Sequence, residues 1–159
     1  MSKQESKRVS RRGALAASLG AAAGMMALGT TEASAPRRPR SPIAGMKVLV
    51  GIGEFSEGLE TYYMIYRLME EGVVPVVAAA EVKNLQLVVH DFEKKYSNYT
   101  EKLGYFIPTE IAYKDVNPAD YDALLIPGGR GPEEMRQYDE VLKIVGHFYD
   151  NKLPLGTMC

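Results

Sequence analysis

The chain has 159 residues, of which 46% are hydrophobic and 25% charged, a composition typical of one globular domain rather than of a disordered, collagen-like or membrane-embedded protein. Its 19 Lys and Arg residues are balanced by 20 Asp and Glu residues, which argues against a nucleic-acid-binding protein. The only cysteine is Cys159, which excludes an intramolecular disulfide and a cysteine-based zinc cluster. We expect neither a metal nor an organic cofactor.

The first 35 residues have the layout of an export signal. A basic segment, 1–12, is followed by an uncharged stretch rich in Ala and Gly, 13–28, and then by Ala33-Ser34-Ala35, a cleavage site of the small-x-small type. Residues 10–15, Ser-Arg-Arg-Gly-Ala-Leu, resemble the twin-arginine export signal. The apolar stretch falls short of the roughly 20 apolar residues of a membrane-spanning helix, so we expect no stable membrane anchor. The sequence predicts a bacterial protein exported by the twin-arginine route.

Strands and helices alternate after a Pro- and Arg-rich linker at 36–45. Residues 47–52 form an apolar run that ends at Gly53, which is typical of a buried strand in a parallel sheet. A helix is predicted from Ser56 to Glu71, with Gly72 just past its end. It rests on apolar residues at helical spacing, namely Leu59, Tyr62, Tyr63, Tyr66 and Met69. We expect the three tyrosines to belong to the core and the helix flank.

The middle of the chain has weaker signals. Residues 73–80 predict a second buried strand, and residues 85–92 alternate enough to predict a third strand in a hairpin. The polar, Tyr-rich stretch 93–105 indicates a surface excursion. Residues 107–116 predict an extended segment, which Pro108 confines to an edge or a short piece.

The clearest unit lies near the C-terminal end of the sequence. Residues 121–126 form an apolar strand that runs into Pro127-Gly128-Gly129-Arg130-Gly131. Pro132 and the two glutamates after it are start signals for a helix, which we expect to end near Asn151. Residues 153–158 predict one more strand. The repeated strand–helix order predicts an open, mostly parallel α/β sheet flanked by helices, of the flavodoxin-like kind, with sites at the carboxyl ends of its strands.

Three features fall at those strand ends: Glu60 in the first helix, the Gly128-Gly129 turn and Cys159. A cysteine where a strand turns into a helix is exposed, strained and close to backbone N–H groups, which favours the thiolate. A glycine pair lets backbone N–H groups approach an acyl oxygen and stabilise its developing charge. A neighbouring glutamate can share a proton with the sulfur or act as general acid and base.

The same residues resemble the DJ-1/PfpI family, which has the class I glutamine amidotransferase-like fold. The resemblance covers residues 46–159 as one domain, and it rests on four segments: Lys47-Val48-Leu49-Val50, Glu60-Thr61, Asp120 to Leu124 leading into Ile126 to Arg130, and Leu155 to Cys159. It implies that Cys159 is the nucleophilic or redox-sensitive cysteine and Glu60 the glutamate that contacts it. It also implies that Gly128 and Gly129 supply oxyanion donors.

The resemblance implies a cysteine-dependent hydrolase or lyase, and family activities include peptidase, amidase, glyoxalase and deglycase-like chemistry on a small-molecule or peptide substrate. It also implies a homo-oligomer. Members resembling PfpI place a histidine directly after the cysteine, followed by a helix and further strands. Because this sequence stops at Cys159, we expect a truncated copy that is inactive as it stands. The alternative is a non-catalytic fragment or stress-response subunit that needs a C-terminal partner.

Other polar residues have plainer interpretations. Arg130 is open to two roles, binding a substrate carboxylate or capping the loop. His90 is expected to be a surface or strand-end histidine, since nothing in the sequence brings it near Cys159, and His147 lies within a helix. Residues 51–56 allow one further reading, a degenerate dinucleotide-binding loop with Glu81 as its ribose-binding acid, but serine stands in place of the third glycine.

Overall fold

The computed structural model describes residues 40–159. The predicted export signal and residues 36–39 of the predicted linker lie outside these described residues. Five parallel strands form the central sheet in the order β5-β2-β1-β6-β7, and two antiparallel strands, β3 and β4, form a separate hairpin. The predicted α/β fold with a mostly parallel sheet is therefore confirmed.

The centre of the sheet consists of β1, Lys47–Gly51, between β2, Val74–Ala79, and β6, Ala123–Ile126. Leu49 and Val50 of β1 are fully buried because helices or the hairpin cover both faces of this strand. On the outer side of β6 lies β7, Leu155–Thr157, and on the outer side of β2 lies the two-residue strand β5, Ile111–Ala112. The carboxyl ends of β1, β6 and β7 therefore meet at one edge.

The first helix, α1, spans Gly58–Glu70, and its buried face differs from the one that spacing suggested. Thr61, Met64 and Ile65 face the core, whereas Tyr63 and Tyr66 are 64% and 57% exposed. Of the two expected locations, core and helix flank, these two tyrosines occupy the flank. The helix carries apolar residues on two sides, and the side with Met64 and Ile65 is the one that packs inward. Gly72 follows with φ +77°, as predicted for the residue after the helix.

The hairpin corrects the predictions for the middle of the chain. Strand β3, Asn84–Asp91, is confirmed, but half of the predicted surface excursion is β4, Thr100–Pro108. Most side chains of β4 are exposed, Leu103 and Tyr105 among them. Its sequence therefore lacks the alternation of apolar and polar residues that marks a half-buried strand. Pairing with β3 stabilises β4 instead.

The extended segment predicted over 107–116 is wrong beyond residue 112, where Tyr113–Asp115 form a 3₁₀ turn. This turn places the Tyr113 ring in the core, where its hydroxyl donates a hydrogen bond to the carbonyl of Ile52. Burial, aided by the charge of Glu134, raises the pKa of Tyr113 above its usual range, so the hydroxyl remains a donor.

The single helix predicted from 132 to 151 is two helices: α2, Gly131–Met135, and α3, Asp139–Asp150. The break lies at Tyr138, whose backbone is extended at φ −97° and ψ 121°. Tyr138 packs against Tyr113, with ring centroids 5.7 Å apart, and the break lets Met135 and Val141 both reach the core. Within residues 40–159, no helix is long and apolar enough to cross a membrane.

Candidate active site

The candidate active site lies where the chain leaves three neighbouring parallel strands. The loop 52–57 follows β1, the turn 127–130 follows β6, and Cys159 follows β7. The pairing of β6 with β7 continues past the strand ends, since the Met158 amide donates to the carbonyl of Ile126 at 3.1 Å. The strand order thus brings together groups that are far apart in sequence.

Glu60 and Gly128 are joined directly. The Gly128 amide donates a hydrogen bond of 2.7 Å to Oε2 of Glu60. Glu60 sits in the first turn of α1, where its own amide donates to the side chain of Glu57, the residue that caps this helix, at 2.7 Å. The bond to Glu57 fixes the backbone of Glu60 at the start of α1, and the bond from Gly128 directs its carboxyl group toward the turn after β6.

Cys159 lies on the same side of Gly128 as the Glu60 carboxyl group. A Cβ atom at position 128 would be 2.1 Å from Cβ of Cys159, 2.9 Å from its Sγ and 2.8 Å from Oε2 of Glu60. Only a glycine leaves room for the sulfur and the carboxyl oxygen on the same side of this turn. Cys159 is exposed and has φ +85°, a strained conformation for a residue with a side chain.

The neighbouring Gly129 is required by the backbone. Its φ is +80°, and a Cβ atom there would lie 2.5 Å from the amide nitrogen of Glu57 and 2.7 Å from the carbonyl oxygen of Phe55. Two backbone hydrogen bonds fix the turn against this loop, from Glu57 N to the Gly128 carbonyl at 3.0 Å and from Arg130 N to the Phe55 carbonyl at 2.9 Å. The Gly128 N–H group already donates to Glu60. Of the two glycines, Gly129 therefore has the N–H group that remains available as an oxyanion donor.

Arg130 is engaged by the hairpin. Its Nη2 and Nε atoms lie 2.7 and 3.1 Å from the two carboxyl oxygens of Glu101, and its guanidinium lies over the Phe55 ring at 4.3 Å. Burial alone raises the pKa of Glu101, but hydrogen bonds from His90 and Arg130 outweigh it and hold that pKa below its usual range. Arg130 contacts Glu101, and its side chain makes no capping hydrogen bond to α2. Binding of a substrate carboxylate by Arg130 stays a prediction.

His90 lies near the end of β3, as expected, but it is not a surface residue. Its side chain is only 7% exposed, and its Nε2 lies 3.1 Å from Oε2 of Glu101. The structure thus places Glu60, Gly128, Gly129 and Cys159 together and puts Glu101 and His90 beside them. Sequence reasoning missed Glu101, because one charged residue in a polar stretch carries no local signal.

A cavity of about 670 Å³ lies between α1 and the hairpin. Its walls are mostly apolar and aromatic, with Leu59, Tyr62, Tyr66, Tyr105 and Phe106 among them, and Glu57 and His90 lie at its margin. The Tyr62 hydroxyl donates to the Phe106 carbonyl across it at 2.8 Å. Over the described range 40–159, no group of three or more His, Cys, Asp or Glu side chains is arranged to hold a metal ion.

A family model described as the DJ-1/PfpI family matches residues 46–159. The chain belongs to the DJ-1/PfpI family. It is 32% identical over 114 residues to a protein of Pyrococcus furiosus named Deglycase PfpI, an alignment that covers 72% of this chain and 60% of that relative. It is 30% identical over 119 residues to Protein DJ-1 homolog D of Arabidopsis thaliana, covering 73% of this chain and 30% of that protein.

Solved structures of this family share the fold. The oxidized form of Toxoplasma gondii DJ-1 matches with a TM-score of 0.58 at 22% identity, covering 72% of this chain and 56% of that one. The chain spans about three fifths of the length of its Pyrococcus relative. The DJ-1/PfpI match therefore establishes the family and the fold.

Proposed function

We propose that this protein is a cysteine-dependent hydrolase or lyase of the DJ-1/PfpI type, with Cys159 as nucleophile and Glu60 as general acid and base. The observation that carries the proposal is the convergence of Cys159 Sγ and Glu60 Oε2 on one side of Gly128. The names of relatives favour a glycated amino acid as substrate, since the Pyrococcus furiosus protein is named a deglycase. A peptide or amide is the second substrate class.

For an amide or ester carbonyl, the chemistry proceeds in two steps. In the first, the thiolate of Cys159 attacks the carbonyl carbon, forming a C–S bond, and the carbonyl oxygen becomes an oxyanion near the Gly129 amide. The oxyanion then collapses and the bond to the leaving group breaks, with Glu60 delivering the proton that the leaving group takes. In the second step, water attacks the thioester, the C–S bond breaks, and Glu60 accepts the proton from water.

The proposal includes export. The twin-arginine-like segment and the small-x-small site support a protein that acts outside the cytoplasm and begins at Pro36. We expect N-terminal sequencing of the protein recovered from the periplasm or culture medium to read from Pro36, and Arg11→Lys with Arg12→Lys to leave it in the cytoplasm. Export that persists in this double variant would contradict the twin-arginine route.

A second candidate function is a non-catalytic subunit that binds a protein partner or a second copy of itself. One observation favours it: large apolar side chains are exposed on α1 and on the hairpin, among them Leu59, Tyr63, Phe92 and Tyr105, which are 64–84% exposed. Patches of this kind mark interaction surfaces. The enzyme proposal and this one differ in whether the purified chain turns over a substrate.

Alkylation of the single cysteine tests the enzyme proposal. The native protein purified from its source and the 159-residue chain, which we expect to be inactive as a truncated copy, are each incubated with the adduct of methylglyoxal and arginine, or with a peptide amide, and release of free arginine or amine is measured. For the native protein we expect turnover that is lost in proportion to carboxymethylation of Cys159 by iodoacetate, as followed by intact mass, and is absent in Cys159→Ser. Turnover that survives complete alkylation would refute Cys159 as the nucleophile. Absence of turnover on both substrates would favour the non-catalytic subunit.

A further inference from the structure

Glu101, at the start of β4, joins three parts of the molecule. One carboxyl oxygen lies 2.7 Å from Nη2 of Arg130, and the other lies 3.1 Å both from Nε of Arg130 and from Nε2 of His90. Arg130 belongs to the turn after β6, His90 to β3 and Glu101 to β4. A single carboxylate thus ties the hairpin to the turn that carries Gly128 and Gly129.

The geometry of this contact differs from that of an ordinary surface ion pair. Arg130 meets Glu101 through two parallel N–H donors, an arrangement that fixes the orientation of the guanidinium as well as its distance. The Phe55 ring lies against the guanidinium, and His90 is nearly buried and stacks on Tyr99 at 4.2 Å between ring centroids. The Lys102–Asp91 pair of the same hairpin has one 3.2 Å contact, and its Asp91 side chain is 47% exposed against 28% for Glu101.

The contacts of Glu101 with Arg130 and His90 form a clamp, and this clamp acts on the backbone that forms the site. Arg130 directly follows Gly129, and its amide is bonded to the carbonyl of Phe55, the residue whose ring its side chain covers. Two residues before Arg130, the Gly128 amide points at Oε2 of Glu60. Because Gly128 and Arg130 belong to one turn, we expect release of Arg130 to change the direction of the Gly128 N–H group as well.

We propose that Glu101 is a positioning residue of the active site: by holding Arg130 across the hairpin, it keeps the Gly128-Gly129 turn in the orientation in which Gly128 binds Glu60 and Gly129 faces the reacting carbonyl. The consequence for catalysis rests on the function proposed above. The consequence for the Gly128 amide does not rest on that function, and it is measurable without any substrate.

Amide hydrogen exchange, followed by NMR, tests the clamp itself. We expect exchange of the Gly128 amide to become about fivefold faster in Glu101→Gln and in Arg130→Gln, the change that corresponds to loss of a favourable ion pair near the surface. Arg130→Lys is expected to behave as Arg130→Gln does, since an ammonium group does not replace the two-donor contact. Lys102→Gln is the matched control, and it leaves Gly128 unchanged. Unchanged exchange of the Leu49 and Val50 amides in β1 shows that the core of each variant is intact.

Steady-state kinetics on the glycated amino acid test the catalytic consequence. We expect kcat to fall about tenfold in Glu101→Gln with KM changed less than about twofold, because the substrate still binds while the reacting groups are misaligned. If Glu101 acts through Arg130, the double variant Glu101→Gln/Arg130→Gln loses no more than either single variant.

The outcomes separate the two proposals. Unchanged Gly128 exchange in folded Glu101→Gln overturns the positioning role, as do losses in kcat that multiply in the double variant. Faster Gly128 exchange in a native protein that turns over neither substrate supports the positioning role and counts against the enzyme function. Faster exchange together with non-additive losses in kcat supports both.

Discussion

Glu60→Gln is expected to lower kcat/KM for the glycated amino acid by about 10²- to 10⁴-fold, the range that general acid–base catalysis contributes. The amide oxygen of glutamine still accepts the hydrogen bond from Gly128, so the helix and the turn keep their positions. What the variant loses is the capacity to give and take a proton beside Cys159. We therefore expect the fall in kcat to be large and the urea midpoint of unfolding to be unchanged.

Glu70→Gln is the matched control for this prediction. Glu70 lies on the same helix, is exposed and pairs only with Arg67 among the described contacts, at 3.2 Å. It is expected to leave kcat/KM unchanged, because an exposed pair of this kind contributes little. Glu60→Asp, which keeps the acid but withdraws it by one methylene, should retain part of the activity. Wild-type turnover in Glu60→Gln would show that Glu60 transfers no proton.

Gly128→Ala is expected to reduce kcat/KM by at least about 100-fold through steric displacement of the site, since a misplacement of about 1 Å at reacting atoms costs this much. The added methyl would lie within 3 Å of Cys159 Sγ and of Glu60 Oε2, so the two groups cannot keep their places. The nearest atom that it meets is Cβ of Cys159, at 2.1 Å, whose position is set by the backbone, so the chain at Cys159 must shift as well. Because Cys159 is exposed and Gly128, unlike Gly129, has no positive φ, we expect a loss of stability of about 1–2 kcal/mol, smaller than that of Gly129→Ala.

Gly129→Ala gives the opposite pattern and serves as the comparison. Its methyl would meet backbone atoms of Glu57 and Phe55 at 2.5 and 2.7 Å, and its φ of +80° disfavours alanine. We expect this variant to lose about 2–4 kcal/mol of stability in urea unfolding, from the strained conformation and the clash together. Equal effects of the two alanines on stability, or full activity in Gly128→Ala, would contradict this division of roles.

The sequence predicted the sheet well because its strands are buried on both faces. Such strands appear as continuous apolar runs, as in residues 47–51 and 123–126, and the run identifies the strand without knowledge of its neighbours. It predicted β4 and the inward face of α1 poorly. Strand β4 exposes most of its side chains, and α1 offers apolar residues on two sides, so its own pattern does not select the side that packs.

For the candidate site too, the sequence predicted some features and missed others. Glu60, the Gly128-Gly129 turn and Cys159 stand at the ends of elements that local patterns identify, and their resemblance to a family is visible in the residues themselves. The contacts among them are not. Glu60 and Gly128 are 68 residues apart, and which of the two glycine amides faces Glu60 depends on how the turn packs against loop 52–57.

By itself, the sequence determined the alternation of strands and helices, the family, and which residues have the chemistry of a thiol site. The tertiary structure alone decided the partners: the Gly128 amide for Glu60, and the carboxylate of Glu101 for Arg130, which lies 29 residues further along the chain. Periodicity reports whether a residue is buried, because burial repeats with the helix or strand. A hydrogen bond between distant segments has no period, since it depends on the positions that the whole fold gives to both of its atoms.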